Sequence, residues 1–282
     1  MTTSSQHGAR IKEAFAHARS EGRVALVPYV MAGYPTLPTS EELALALAEA
    51  GADVLELGLP FSDPLADGAT IQHAGQVALD HGATLGACLD IAGRLSAKMR
   101  TPLVLMGYYN PIFSLGVDRF CAHAAAAGVA GLIVPDLPAE EAGPLAEAAA
   151  AYGIELIYLV TPTSPEARIK RVAHAAGKTG NGFVYCVSLS GVTGARASLP
   201  DDLPAFLTRV RAHTPLPLAV GFGVSRPEHV TRIGEVADGA VVASALLNAV
   251  DAAPQSRRVA AGVAFFQQLS GGAHKSAPPS RP

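Results

Sequence analysis

Short apolar runs alternate along this chain with longer stretches whose apolar residues recur every three or four positions. The short runs read as strands at 24–31, 53–58, 103–107, 131–134, 154–160, 182–188, 216–221 and 239–243. The run Val54-Leu55-Glu56-Leu57-Gly58 is apolar on both faces, which fits a strand covered on both sides in a parallel sheet. The longer stretches read as a leading helix at 9–21, then helices at 41–50, 70–80, 85–99, 117–127, 140–152, 165–176, 202–213 and 226–234, with helical sequence from 244 to 269. Thr39 with Glu42, and Ser225 with Glu228, have capping-box spacing, and Ser164 before Pro165 reads as a cap followed by proline in the first turn. The segment 177–181 reads as a surface turn.

Eight strands alternating with helices predict an α/β chain folded as a closed (β/α)8 TIM barrel with an extra N-terminal helix. An open doubly wound sheet would carry a Gly-x-Gly-x-x-Gly turn after its first strand, and Val30-Met31-Ala32-Gly33-Tyr34-Pro35 does not. The expected organisation is a disordered N-terminus at 1–8, one barrel domain at 9–270 and a disordered Gly/Pro/Ser-rich tail at 271–282.

Two carboxylates stand out between positions 53 and 72. Glu56 shares a strand face with Val54 and Gly58. A carboxylate there is costly to bury, which raises its pKa toward the range useful for proton transfer. Asp67 follows on the Pro/Gly/Ser/Asp-rich loop leaving the same strand, so both could face one cavity. A salt-bridge Glu and a turn-capping Asp are the ordinary alternatives.

In such barrels the site lies at the C-terminal ends of the strands, and phosphate binds after strands seven and eight. Ser188-Leu189-Ser190-Gly191-Val192-Thr193-Gly194, Gly221-Phe222-Gly223-Val224-Ser225 and Val241-Val242-Ala243-Ser244-Ala245 end strands six, seven and eight. Glycines let backbone amides approach an anion, and a helix starting at Ser244 would point free N–H groups at it. The loop after strand six, with Gly191, Thr193, Gly194 and Arg196, suits a lid. Tyr185 and Tyr108 lie near strand ends, where core packing and a cavity wall are both open to them.

Composition narrows the class. The 282 residues are 49% hydrophobic with a net charge of −3 and no basic block, so nothing points to nucleic acid. Three widely spaced cysteines, Cys88, Cys121 and Cys186, give neither a disulfide framework nor metal spacing, as expected in a reducing cytoplasm. His73, His81 and His123 read as surface or helix residues, so no metal is expected. The N-terminus has no apolar signal core, and no apolar stretch is long enough to span a membrane.

Several long motifs in order carry a resemblance. They are 55–68 (Leu-Glu-Leu-Gly-Leu-Pro-Phe-Ser-Asp-Pro-Leu-Ala-Asp-Gly), Met106-Gly107-Tyr108-Tyr109-Asn110-Pro111, Val134-Pro135-Asp136-Leu137-Pro138, Ser190-Gly191-Val192-Thr193-Gly194 and Gly221-Phe222-Gly223-Val224-Ser225. Over about residues 10–265 the chain closely resembles the tryptophan synthase α-subunit family. The resemblance implies retro-aldol cleavage of indole-3-glycerol phosphate to indole and glyceraldehyde 3-phosphate. Glu56 matches the family's catalytic Glu, acid and then base, and Asp67 its catalytic Asp, which accepts the indole N–H. Tyr185 matches an active-site tyrosine that would support proton transfer. Gly194, Gly223, Ala243 and Ser244 would hold the phosphate, and Tyr29, Ile71, Tyr108, Thr193 and Phe222 would wall the pocket. No cofactor is implied here; pyridoxal phosphate belongs to the family's β subunit, the expected partner in an αββα assembly. Loops around 63, 110–111 and 136 would face that partner.

Ala69, Val77 and Ala243 depart from the usual Pro, Arg and Gly, and none of these removes a catalytic group. A stand-alone indole-3-glycerol phosphate lyase and a non-catalytic scaffold remain open alternatives. A Schiff-base aldolase would want a lysine at a strand end, and no predicted strand ends in one.

Overall fold

The structure is a computed structural model that describes residues 6–187, 199–221 and 223–274. Nine parallel strands form one sheet: β1 Ala25–Met31, β2 Leu55–Gly58, β3 Leu103–Met106, β4 Gly131–Ile133, β5 Glu155–Ile157, β6 Leu159–Val160, β7 Val184–Val187, β8 Leu218–Gly221 and β9 Gly239–Val242. Their spatial order is β5-β4-β3-β2-β1-β9-β8-β7-β6. Because β5 and β6 are separated only by Tyr158, the two ends of this order meet, and the sheet curls into a barrel. β5 pairs with β4 and β6 with β7, so the predicted fifth strand changes neighbours at Tyr158, whose carbonyl accepts the Tyr185 N–H at 3.0 Å.

The alternation expected of β2 is present. Val54 packs with the inward side chains Val27, Val104, Ile133, Ile157 and Val241, while Leu55 and Leu57 pack outward under the helices. The leading helix α1, Gln6–Ser20, joins the inner group through Ile11, Phe15 and Ala18, with the Phe15 ring 5.3 Å from that of Phe183. It closes the end where the strands begin, which leaves the opposite end for the site.

α1 begins at Gln6, and Ala273 is buried, its carbonyl accepting the Val24 N–H at 2.9 Å beside an antiparallel Arg23–His274 bridge.

The remaining helices are α2 Leu37–Glu49, α3 Ala69–Asp80, α4 Leu85–Lys98, α5 Tyr109–Leu115, α6 Val117–Ala126, α7 Gly143–Ala151, α8 Glu166–Gly177, α9 Leu203–Arg211, α10 Pro227–Gly234, α11 Ser244–Asp251 and α12 Arg258–Ser270. Local chemistry moves several starts away from the expected ones. Thr36 caps α2 by accepting the Thr39 N–H at 3.3 Å, and Pro38 fits the first turn because no donor is needed there. Ser164 is buried and accepts the Thr161 N–H at 3.0 Å, so it closes a turn instead of capping α8. The Ser225 box does not form: α10 starts at Pro227, and the Ser225 N–H donates to His229 Nδ1 at 3.3 Å.

The acids at the closed end are satisfied. Asp53 receives Arg23 at 2.6 and 2.8 Å and the Leu26 N–H at 2.8 Å, and Asp238 receives the Leu218 N–H at 2.9 Å and Arg211. Buried Glu155 is held by Thr179 and Asn181, so the 177–181 turn is more than a surface feature.

Candidate active site

Glu56 lies in β2, 1% exposed, and neither carboxyl oxygen has a hydrogen-bond partner among the described residues. Burial, with the nearby charge of Asp67 adding to it, pushes its pKa up to about 8. A carboxyl left in this state is rare in a folded core and marks a reactive position.

Asp67 sits on the loop from β2 to α3, half-buried, its N–H bound to the Pro64 carbonyl at 3.0 Å and its own carbonyl accepting Gln72 Nε2 at 2.9 Å. Burial raises its pKa to about 6, and the nearby Tyr108 hydroxyl works in the opposite direction. The two acids thus differ near neutrality: Glu56 mostly protonated, Asp67 mostly ionised.

Three tyrosines surround them. Tyr29 stands on β1 beside Glu56, in register with it. Its ring covers Gly58, where an added Cβ would lie 1.9 Å from the hydroxyl oxygen. Tyr185, on β7, covers Gly221 in the same manner, with an added Cβ 2.7 Å from its ring. In both pairs the glycine lies two residues beyond the tyrosine's register partner, so a missing side chain at one strand end makes room for the neighbour's ring. Burial raises both hydroxyl pKa values well above the ordinary, helped by Asp67 and then Glu56 at Tyr29 and by Glu56 and then Asp67 at Tyr185, so both stay neutral. Tyr108 is 5% exposed and stacks on Phe61 with centroids 5.2 Å apart. Ile71 is buried in the first turn of α3.

On the other side of the mouth, Gly223 has φ +73°, a conformation that favours glycine. Ala243 is the residue before α11, and Ser244 is that helix's first, buried residue. Thr193, Gly194 and Phe222 lie outside the described residues. Among the described residues no group of three or more His, Cys, Asp or Glu could hold a metal ion, and no helix is long and apolar enough to cross a membrane. His73, His81 and His123 are exposed, as expected.

A small apolar pocket opens between the segments that follow β2 and β3, lined by Leu59, Pro60, Phe61, Leu85, Tyr108, Pro111 and Ile112. Leu65, on the loop from β2 to α3, is 94% exposed, and Phe113, in α5, 65%. Inspection of the sequence missed Phe61 as the partner of Tyr108, although it stands inside the conspicuous Leu-Pro-Phe-Ser-Asp run.

The protein-family model "Tryptophan synthase alpha chain" matches residues 15–274. The chain belongs to the tryptophan synthase alpha chain family. It is 52% identical over 263 residues to the tryptophan synthase alpha chain of Roseiflexus sp. (strain RS-1), covering 93% of this chain and 99% of that one. It is 51% identical over 238 residues to that of Geobacter sp. (strain M21), covering 84% and 88%. Among solved structures, tryptophan synthase from Mycobacterium tuberculosis aligns with TM-score 0.86 and 35% identity, covering 95% of this chain and 99% of that one. The tryptophan synthase complex from Pyrococcus furiosus aligns with TM-score 0.81 and 37% identity, covering 88% and 99%. The tryptophan synthase alpha chain family cleaves indole-3-glycerol phosphate as a carbon–carbon lyase and works with a beta subunit, and both statements hold for this member.

Proposed function

We propose that Glu56 and Asp67 carry out the retro-aldol cleavage of indole-3-glycerol phosphate to indole and glyceraldehyde 3-phosphate. The supporting observation is the buried, unpartnered Glu56 carboxyl, protonated near neutrality beside a more acidic Asp67. Glu56 gives its proton to C3 of the indole ring, and Asp67 accepts the ring N–H, which steadies the positive charge that develops. The Glu56 carboxylate then takes the proton of the substrate hydroxyl. The C3–glycerol bond breaks, its electron pair returns to the ring and the aldehyde leaves, with Glu56 protonated again. Tyr185, neutral and buried, supports the proton transfer.

Gly194, Gly223, Ala243 and Ser244 hold the substrate phosphate, and the placement of Ser244 at the start of α11 supports this through the helix N-terminus. Tyr29, Ile71, Tyr108, Thr193 and Phe222 wall the indole pocket. Proton transfer is all that these steps require of the chain, so pyridoxal phosphate is kept to the beta subunit. Exposed Leu65 and Phe113 beside the apolar cavity support docking of that subunit in an αββα heterotetramer. A reducing, cytoplasmic compartment goes with the three buried free thiols, Cys88, Cys121 and Cys186.

The test is indole release from indole-3-glycerol phosphate by wild type and Glu56→Gln, each with beta subunit present. The proposal expects the variant to lose cleavage while still folding and binding its partner. Undiminished cleavage by Glu56→Gln would refute the proton-transfer assignment.

A further inference from the structure

Tyr108 does more than close a pocket. Its ring stacks on Phe61, and its hydroxyl accepts the Ala66 N–H at 3.0 Å. Phe61 and Ala66 bracket the loop that delivers Asp67, so one side chain grips that loop at both ends. Tyr108 is itself anchored. It is the residue before α5, and the next N–H, that of Tyr109, donates to both carboxylate oxygens of Asp136 at 3.0 and 3.2 Å.

We infer that Tyr108 is a positioning residue for Asp67, its hydroxyl fixing the loop through Ala66 and orienting the Asp67 carboxylate toward the ring N–H. This rests on the role of Asp67 given above. A pocket wall would need only the ring, yet the hydroxyl is the part that meets the loop backbone. With one lone pair engaged by the Ala66 amide, the hydroxyl proton remains to be donated to Asp67, and accepting one hydrogen bond makes it a better donor in the other. That donation favours the ionised carboxylate and offsets part of the effect of its burial.

The experiment is Tyr108→Phe, which keeps the ring and its stacking on Phe61, assayed for indole release with the beta subunit across pH. Asp67→Asn and the double variant are assayed alongside, with thermal unfolding of each. The inference expects kcat to fall by about 10- to 100-fold, as for a misplaced catalytic group. It expects KM to change by less than about twofold, since the loss lies in the transition state. The low-pH limb of kcat should move to higher pH, because Asp67 has lost a donor. In the Asp67→Asn background, Tyr108→Phe should add nothing.

A Tyr108→Phe profile matching wild type while Asp67→Asn is inactive would overturn the inference and leave the Asp67 assignment standing. A rise in KM alone would also overturn it and reduce Tyr108 to a wall. Full activity in Asp67→Asn would instead remove the Asp67 assignment, and the inference with it.

Discussion

Tyr29 occupies the space that a side chain on Gly58 would need, with only 1.9 Å between an added Cβ and the tyrosine hydroxyl oxygen. Gly58 is two residues from Glu56 on the same face of β2, so the ring that fills this gap also lies beside the buried Glu56 carboxyl. Gly58→Ala must therefore push Tyr29 off its position. Overpacking of this kind costs about 1–3 kcal/mol, and the displaced ring should lower kcat as well. Urea unfolding together with indole release checks both halves.

The pH dependence follows from the two acids. The proposed mechanism needs Glu56 protonated and Asp67 ionised, so kcat/KM should follow a bell with limbs near pH 6 and pH 8. Glu56→Gln removes the acid outright, so no bell remains to be measured in that variant.

Stability should follow a related curve. The folded pKa of Glu56, about 8, lies above its unfolded value near 4.5, so the folded state holds the extra proton between them. Its contribution is fully present below about pH 4.5 and is lost as pH rises through about 8, a change on the order of a few kcal/mol. Glu56→Gln should flatten this slope, and above pH 8 the inactive variant should unfold at higher denaturant than wild type. An equal change in denaturation midpoint between pH 6 and pH 9 for wild type and Glu56→Gln would contradict the burial argument.

At the closed end the expectation reverses, with stability lost and chemistry spared. Asp53→Ala takes the bidentate partner from the partly buried Arg23, which keeps only Glu21, and removes the acceptor of the Leu26 N–H. Removing this acceptor from its donors costs about 1–3 kcal/mol, while kcat of the protein that remains folded should be unchanged. Thermal unfolding and single-temperature kinetics separate the two.

Phe113 makes the opposite kind of test. It is 65% exposed, so Phe113→Ser should shift stability by no more than about 0.5 kcal/mol. As an aromatic anchor in a partner interface it should weaken beta subunit binding by more than about tenfold. Titration calorimetry with the beta subunit reads this directly, and unchanged affinity would move the docking surface elsewhere.

Glu56 stands out as a candidate because a carboxylate inside an apolar strand is visible without any structure, and Asp67 because it follows on the loop leaving that strand. The barrel was legible because its period is regular. What stayed hidden depends on contacts between distant residues. α5 is seven residues long with a proline at its third position, too short for a helical period, and the residue that holds its N-terminus, Asp136, comes from the loop after β4. The break at Tyr158 reflects a change of sheet partner, which no local pattern encodes. Ser164 has the right type and spacing for a cap, but its hydroxyl turns inward to Thr161. Tyr108 reads as an ordinary aromatic at a strand end, and its role depends on a loop some forty positions earlier.

Asp53 and Glu56 are three residues apart, so about 10 Å of strand separates an acid saturated with donors from one that has none among the described residues. The barrel interior acts over that span as an insulator between two poles. One pole carries an acid locked by an ion pair and a backbone hydrogen bond, and the other holds a carboxyl that burial keeps protonated near neutrality. Substitutions at the first pole should therefore show as abundance defects and those at the second as turnover defects, so the chain's mutational map should divide along its strand axis.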